Sequence, residues 1–157
     1  MLAVALGYPL GTMGDKYLVE RSSKGAQLSF QEAAVWMNFN GIKEIKDIGG
    51  DKETILRLAS SGLIAFAQTT DELLVKLSEV IPVRQGAGTL ENGVPAIFLG
   101  DRSVKAEDAV LNIWKLCNGK RRIGDICQFA ERDYKKTREE YLEILSFLKE
   151  NDLIFFT

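Results

Sequence analysis

The chain has 157 residues, and 46% of them are hydrophobic, so it can bury a core without disulfides or bound metals. Acidic and basic residues nearly balance at 22 and 20, whereas a free-standing nucleic-acid binder usually carries a basic excess. Histidine is absent, which removes the commonest general base near neutral pH and the commonest metal ligand. This composition disfavours an enzyme and lowers the expectation of a DNA-binding protein.

The first part of the chain predicts strands followed by a helix. The apolar run 1–6 lacks the layout of a signal peptide or a membrane span, so we expect it to form a first strand, and 17–19 to form another. A helix is expected after Ser29, which can form a capping box with Glu32, and its stop is expected at Asn40. Its apolar face is predicted to consist of Phe30, Ala33, Ala34 and Met37.

A compressed helical region follows, in which Gly49-Gly50-Asp51 leads into the apolar positions of 55–59. The run 63–66 then predicts a closing strand. Residues 71–80 are typical of an amphipathic connecting helix, with Leu73, Leu74 and Leu77 facing inward.

The second part of the chain predicts the same order of elements. Asn92 and Gly93 lie between apolar runs and predict a tight hairpin turn, because both residues tolerate positive φ. A helix stopping at Asn118-Gly119 follows, with Ala106, Ala109, Val110, Ile113, Trp114 and Cys117 on its apolar face. A short helix over 123–130, a last helix capped by Thr137 and a strand over 153–156 are expected after it.

The two parts are related by an internal repeat. Residues 36–48 and 114–126 both fit WxxxNGxxxIxDI, with six identities in thirteen positions at a constant offset of 78. Upstream, Gly7 and Gly14 match Gly86 and Gly93 at an offset of 79. Downstream, 58–66 matches 148–156 at an offset of 90. Tryptophan occurs only twice in the chain, so chance agreement of this quality is improbable.

We therefore predict an α+β fold made of two tandem winged-helix-like units. Each unit is expected to contain a small β-hairpin, about three helices and a terminal strand. The predicted boundaries are 1–68 for the first unit, 69–79 for the connecting helix and 80–157 for the second unit.

The second unit resembles the PqqD-like family. The resemblance is carried by Trp114, Gly119, Ile123 and Ile126 within 109–126, and by the Phe147-Leu148 to Leu153-Ile154 ending; it covers about 60 residues, 96–156. It implies a small domain that recognises peptides, notably leader segments of ribosomally made, modified peptides. Such domains pair a peptide strand with the edge of a small sheet, against the last helix. The duplication is a departure, because domains of this family usually stand alone or are fused to a modifying enzyme.

The first functional hypothesis is a non-enzymatic protein that binds a peptide or protein partner, in modified-peptide biosynthesis. The strand containing Ala96, Ile97, Phe98 and Leu99 is expected to offer an open edge, with the 137–150 helix as the groove wall. The alternative is that the other unit or a second copy in a homodimer covers this edge.

The second hypothesis is a DNA-binding regulator that uses Lys135, Lys136 and Arg138 at the start of the last helix. Carboxylates follow close behind at Glu139, Glu140 and Glu143, so a solvated surface is the preferred interpretation of this cluster.

No constellation of residues favours catalysis, a cofactor or a metal. Cys117 and Cys127 are expected to be buried apolar residues, and the glycine clusters lack the spacing of a phosphate-binding loop. Paired carboxylates lie in predicted first helical turns, where they complement the helix dipole. We expect a soluble cytoplasmic protein with no membrane partner.

Overall fold

The computed structural model describes residues 1–47, 52–91 and 93–157, which form an α+β fold. The first half contains β1 (Leu2–Ala5), β2 (Tyr8–Met13), β3 (Lys16–Arg21), β4 (Lys24–Leu28), α1 (Phe30–Met37), β5 (Lys43–Glu44), a 3-10 turn (Ile45–Asp47), α2 (Lys52–Ser60) and β6 (Ile64–Ala67). The predicted opening strand and closing strand are confirmed. The glycine pair Gly49-Gly50, Asp51 and the last residue of the repeat motif, Ile48, lie outside the described residues.

The connecting helix α3 (Thr70–Leu77) leads into the second half, and it buries Leu73, Leu74 and Leu77 as expected. The second half contains β7 (Pro82–Arg84), β8 (Ala87–Glu91), β9 (Val94–Leu99), β10 (Arg102–Lys105), α4 (Asp108–Leu116), α5 (Ile123–Tyr134), α6 (Arg138–Glu150) and β11 (Ile154–Phe156). Helix α5 is longer than the short helix that the sequence predicted. The predicted turn falls between β8 and β9, although Asn92 itself is outside the described residues.

The strands form small antiparallel sheets, and the meander of each half is alike while the other sheet differs. In the first half β1 lies between β5 and β6, and β2, β3 and β4 form a three-stranded meander. In the second half β7 pairs with β11, and β8, β9 and β10 form the corresponding meander. Each half thus has a three-stranded sheet where the sequence predicted a two-stranded hairpin.

Both predicted capping boxes are present and explain where two helices begin. The Ser29 hydroxyl accepts a hydrogen bond from the Glu32 backbone N–H at 3.1 Å, and the Glu32 carboxylate accepts from the Ser29 N–H at 3.0 Å. Thr137 and Glu140 make the same pair of contacts at 3.1 Å each. These reciprocal bonds satisfy backbone donors that the first turn leaves unpaired.

Backbone hydrogen bonds recur between the halves at the offsets found in the sequence. The Ala5 N–H donates to the Phe39 carbonyl, and the Arg84 N–H donates to the Cys117 carbonyl; the two donors are 79 positions apart and the two acceptors 78. The Leu6 N–H likewise donates to the Leu63 carbonyl and the Gln85 N–H to the Leu153 carbonyl, with donors 79 and acceptors 90 positions apart. The indole N–H groups follow the same relation, since Trp36 donates to the Leu6 carbonyl at 3.0 Å and Trp114 to the Gln85 carbonyl at 3.2 Å. One hydrogen bond of each indole therefore recurs at the repeat offset, while Trp114 also donates to the Leu153 carbonyl at 3.1 Å.

The buried face of α1 differs from the prediction. Phe30 and Met37 are 53% and 45% exposed, and Ala34 is also exposed, whereas Ala33 and Trp36 are buried. The apolar stripe is rotated because the large indole faces the sheet and leaves Phe30 and Met37 on the outer side of the helix. The predicted face was therefore wrong for these three residues.

The core crosses the boundary between the halves. One cluster lies in the first half, around Trp36, while the larger cluster of the second half also contains Val4, Leu6 and Ala67. The Gly7 N–H donates to the Phe156 carbonyl at 2.5 Å, which links the halves through their backbones.

A second junction involves the segment after α1. The Asn40 side-chain amide donates to Asp152 Oδ1 at 2.8 Å, and the Ile42 N–H donates to Ser146 Oγ at 3.0 Å. Gly41 lies so close to Glu150 that a Cβ there would be 2.3 Å from Glu150 Cγ. The halves thus pack against each other along α6.

Candidate functional site

The predicted peptide-binding edge is not an edge. Strand β9, which contains Ala96, Ile97, Phe98 and Leu99, is the central strand of its sheet, with β8 on one side and β10 on the other. Ala96 and Ile97 are fully buried. The expectation of strand pairing by 96–99 was therefore wrong. The error arose because strand β10 was not predicted: Arg102–Lys105 has a single apolar residue, Val104, and so shows no alternation.

Helix α6 does not form an open groove wall either. Most of its inner and lateral positions are buried: Tyr141, Leu142, Ile144, Leu145, Leu148 and Lys149. The Tyr141 hydroxyl donates to the Ile123 carbonyl at 2.8 Å, which fixes α6 against α5. The exposed positions of α6 after Arg138 are glutamates: Glu139, Glu140, Glu143 and Glu150. The prediction of a groove between this helix and residues 96–99 was therefore wrong.

The first half contains an open groove between a sheet edge and a helix. It has a volume of about 450 Å³ and lies between β4 and α2. Ala26, Gln27 and Leu28 line one side, and Leu56 and Arg57 lie on the other. Among the described residues, β4 pairs only with β3, so its outer side is free of strand partners.

The hairpin geometry defines which backbone groups of β4 point into this groove. Arg21 and Lys24 flank a two-residue loop whose residues, Ser22 and Ser23, both have positive φ. The residues that flank such a loop form a hydrogen-bonded pair, and the pattern then alternates along the strand. The N–H and C=O groups of Gly25 and Gln27 consequently point away from β3.

The helix side of the groove combines an apolar surface with a charged rim. Leu56 is 63% exposed and supplies apolar surface to the groove. Arg57 lies 4.0 Å from a carboxylate oxygen of Glu32 and donates to Thr54 Oγ1 at 3.2 Å. The hydrogen bond from the Ser29 backbone N–H lowers the pKa of Glu32, so this rim carboxylate is ionised at neutral pH.

The residues of the DNA-binding hypothesis are mostly engaged within the chain. Arg138 contacts Asp71 at 3.1 Å and Glu131 at 3.5 Å, and Lys136 lies 3.8 Å from Glu140. Lys135 is exposed and ends α5 in the left-handed conformation, with a φ of 54°. Helix α6 is buried along most of its length, and most of its exposed positions are glutamates, so it is poorly suited to enter the major groove of DNA. DNA binding stays a prediction that these contacts do not favour.

The two cysteines lie in different environments. Cys117 is fully buried as expected, and burial raises the pKa of its thiol to about 12. Cys127 is only half-buried, so that prediction was partly wrong. Burial and then the nearby Glu131 carboxylate raise the pKa of Cys127 to about 11. Both thiols are therefore protonated at neutral pH and poorly nucleophilic.

Lys149 is fully buried near the end of α6, although nothing in its local sequence singled it out. Its ammonium group lies 4.7 Å from the centre of the Phe156 ring. Burial lowers the pKa of Lys149 to about 7, and the charge of Asp152 opposes this shift. The repeat offered a signal, because the 90-residue offset pairs Lys149 with Ala59, an apolar residue.

The comparisons with known proteins add no homologue, since no family model, curated protein or solved structure matched the chain. The class defined by the structure is a mixed α+β protein with small antiparallel sheets. No helix within the described ranges is long and apolar enough to cross a membrane. The described part of the chain also holds no cluster of three or more carboxylate or thiol groups suited to a metal ion.

Proposed function

We propose that this protein is a non-enzymatic binding protein with two winged-helix-like units, and that it recognises an extended peptide segment of its partner. The supporting observation is the groove in which the outer edge of β4 faces the exposed side of α2. The matched hydrogen bonds around Trp36 and Trp114 support the duplication. The PqqD-like resemblance and a role in modified-peptide biosynthesis belong to the same proposal.

The groove offers the two features that strand addition requires, namely free backbone hydrogen-bonding groups and a surface that selects side chains. Gly25 and Gln27 present backbone donors and acceptors, which give affinity to any extended chain. Ala26 and Leu56 present apolar surface, which selects side chains on the face of the peptide turned toward α2. We expect the bound peptide to carry apolar residues at alternating positions.

The halves have different roles in this proposal. Helix α6 of the second half is largely buried in the shared core, whereas α2 keeps Glu53, Leu56 and Arg57 exposed. The second half therefore supports the first, and the partner binds at β4. The proposed site therefore lies in the first half, whereas the sequence suggested a site in the second half.

The proposal is tested by selecting peptides from a random linear display library with the full chain, and then measuring the affinity of the selected peptides for two variants. Gln27→Pro removes the outward N–H, and proline is tolerated at an edge strand where that N–H faces solvent. Gln27→Ala keeps the N–H and is the matched control. We expect Gln27→Pro to weaken binding about tenfold or more, since one backbone hydrogen bond is lost and the ring obstructs pairing.

A library that yields no binding peptide would contradict the proposal. So would selected peptides that bind Gln27→Pro and the parent chain equally, because strand pairing at β4 could not then be the mode of recognition. Leu56→Ser provides an independent check on the helix side of the groove. We expect Leu56→Ser to weaken the binding of the same peptides without changing the fold, because Leu56 is mostly exposed.

A further inference from the structure

A second cavity lies between the two halves and is distinct from the groove at β4. It has a volume of about 550 Å³. Tyr17 and Trp36 of the first half line one side, and Phe155 of the second half lines the other. The cleft therefore exists only when the halves are packed together.

The aromatic rings of the cleft are held in place by their neighbours. The rings of Tyr17 and Trp36 have centres 6.4 Å apart, and the indole N–H of Trp36 is bonded to the Leu6 carbonyl. Phe155 packs edge-on against Tyr8 with ring centres 5.1 Å apart. These contacts fix the positions of the aromatic side chains that line the cleft, and aromatic rings attract cations.

The polar groups of the cleft are rich in acceptor oxygens. Asp152 contributes a carboxylate, and Asn40 and Gln85 contribute side-chain amides. Asn40 donates to Asp152 Oδ1 at 2.8 Å, which orients the carboxylate. In the part of the chain that the structure describes, the residues lining this cleft include one carboxylate and no basic side chain.

The charge of Asp152 acts on the interior of the cleft. After burial, that charge is the second cause of the raised pKa of Tyr17. The charge of Asp152 also affects the pKa of Lys149, but the Lys149 side chain is buried and does not line the cleft. The cleft thus combines negative charge with aromatic surface, the two features that complement a planar cation.

We propose that the cleft between the halves binds the guanidinium group of an arginine side chain, with Asp152 as its anionic partner. A guanidinium stacks on aromatic faces and presents five N–H donors in a planar fork that matches a carboxylate. The carboxylate of Asp152 and the amide oxygens of Asn40 and Gln85 accept these donors. A lysine ammonium lacks the planar surface that the aromatic walls require.

The experiment titrates the full chain with Nα-acetyl-arginine amide and follows the two tryptophan indole N–H signals by NMR. Trp36 lines the cleft and Trp114 does not, so the second signal is an internal control. The corresponding citrulline amide is the neutral control ligand, since it keeps the shape and loses the charge. We expect the Trp36 signal to shift on binding of the arginine compound, and citrulline to bind about tenfold more weakly or worse.

Asp152→Asn tests the anionic partner. Asp152 has a φ of 58°, a left-handed conformation that asparagine also accepts, so the backbone should be retained. We expect this variant to weaken arginine binding about tenfold or more, whereas Asp101→Asn, which removes an exposed carboxylate outside the cleft, leaves it unchanged. An unmoved Trp36 signal, or equal binding of the arginine and citrulline compounds by the unmodified chain, would overturn the proposal.

Discussion

Replacing Lys149 with methionine should stabilise the fold near neutral pH and remove a pH dependence that this lysine imposes. Lys149 is fully buried, and burial lowers its pKa from 10.5 to about 7. The unfolded chain therefore binds more protons than the folded chain between these two values. Stability then rises with pH across this window, because the cost of burying the ammonium disappears as the group loses its proton.

The magnitude follows from the size of the pKa difference. One pKa unit corresponds to about 1.4 kcal/mol, so the stability of the parent chain should rise by up to about 1.4 kcal/mol per pH unit between pH 7 and 10. The penalty below pH 7 is at most about 5 kcal/mol. Methionine keeps most of the unbranched apolar stem of Lys149 and carries no charge, so Lys149→Met should lack this contribution.

The assay is urea unfolding of the parent chain and Lys149→Met at several pH values from 7 to 10. The quantity of interest is the difference between their free energies of unfolding, in which the titration of all other groups cancels. Lys115→Met is the matched control, because it removes an exposed lysine and changes the net charge equally. The stability advantage of Lys149→Met should shrink as the pH rises. A difference that stays constant across this range would refute the reasoning.

Further substitutions test the backbone and the junction between the halves. Gly86→Ala should lower the free energy of unfolding by more than about 2 kcal/mol, since Gly86 has a φ of 88° and a Cβ there would lie 2.2 Å from the Phe98 carbonyl oxygen. Gly14→Ala is the control, because Gly14 also has a positive φ but has open space around it. We expect it to cost about 1 kcal/mol, with both variants compared by thermal unfolding. Gly41→Ala should destabilise the chain through its contact with Glu150. Combining it with Glu150→Ala should recover part of the loss in a double-mutant cycle, and strictly additive effects would contradict a direct contact.

Local signals in the sequence predicted much of the chain. The capping boxes at Ser29 and Thr137 and the connecting helix were confirmed, because they depend on residues three or four positions apart. The offsets of the repeat recur in long-range backbone hydrogen bonds, such as Leu6 to Leu63 and Gln85 to Leu153, but the repeat itself did not predict which segments pair.

The site could not be predicted in the same way, because it depends on which strand is outermost. Strands β4 and β10 contain few apolar residues, so no alternation marked them, and without β10 the central strand β9 was mistaken for an edge. Helix α6 is buried on more than its apolar face because α3, α5 and β11 pack around it, and periodicity within one helix does not report such packing. Lys149 was missed for the same reason, since lysine is ordinarily a surface residue.

The shared core has a consequence for how the chain can be divided. Val4, Leu6 and Ala67 complete the apolar cluster of the second half, and the Gly7 backbone is bonded to Phe156. The core of the second half is thus incomplete without the first. A chain cut between β6 and α3 should yield a second-half fragment that is stabilised when the first-half fragment is added, so such a split would make the cleft between them dependent on fragment association.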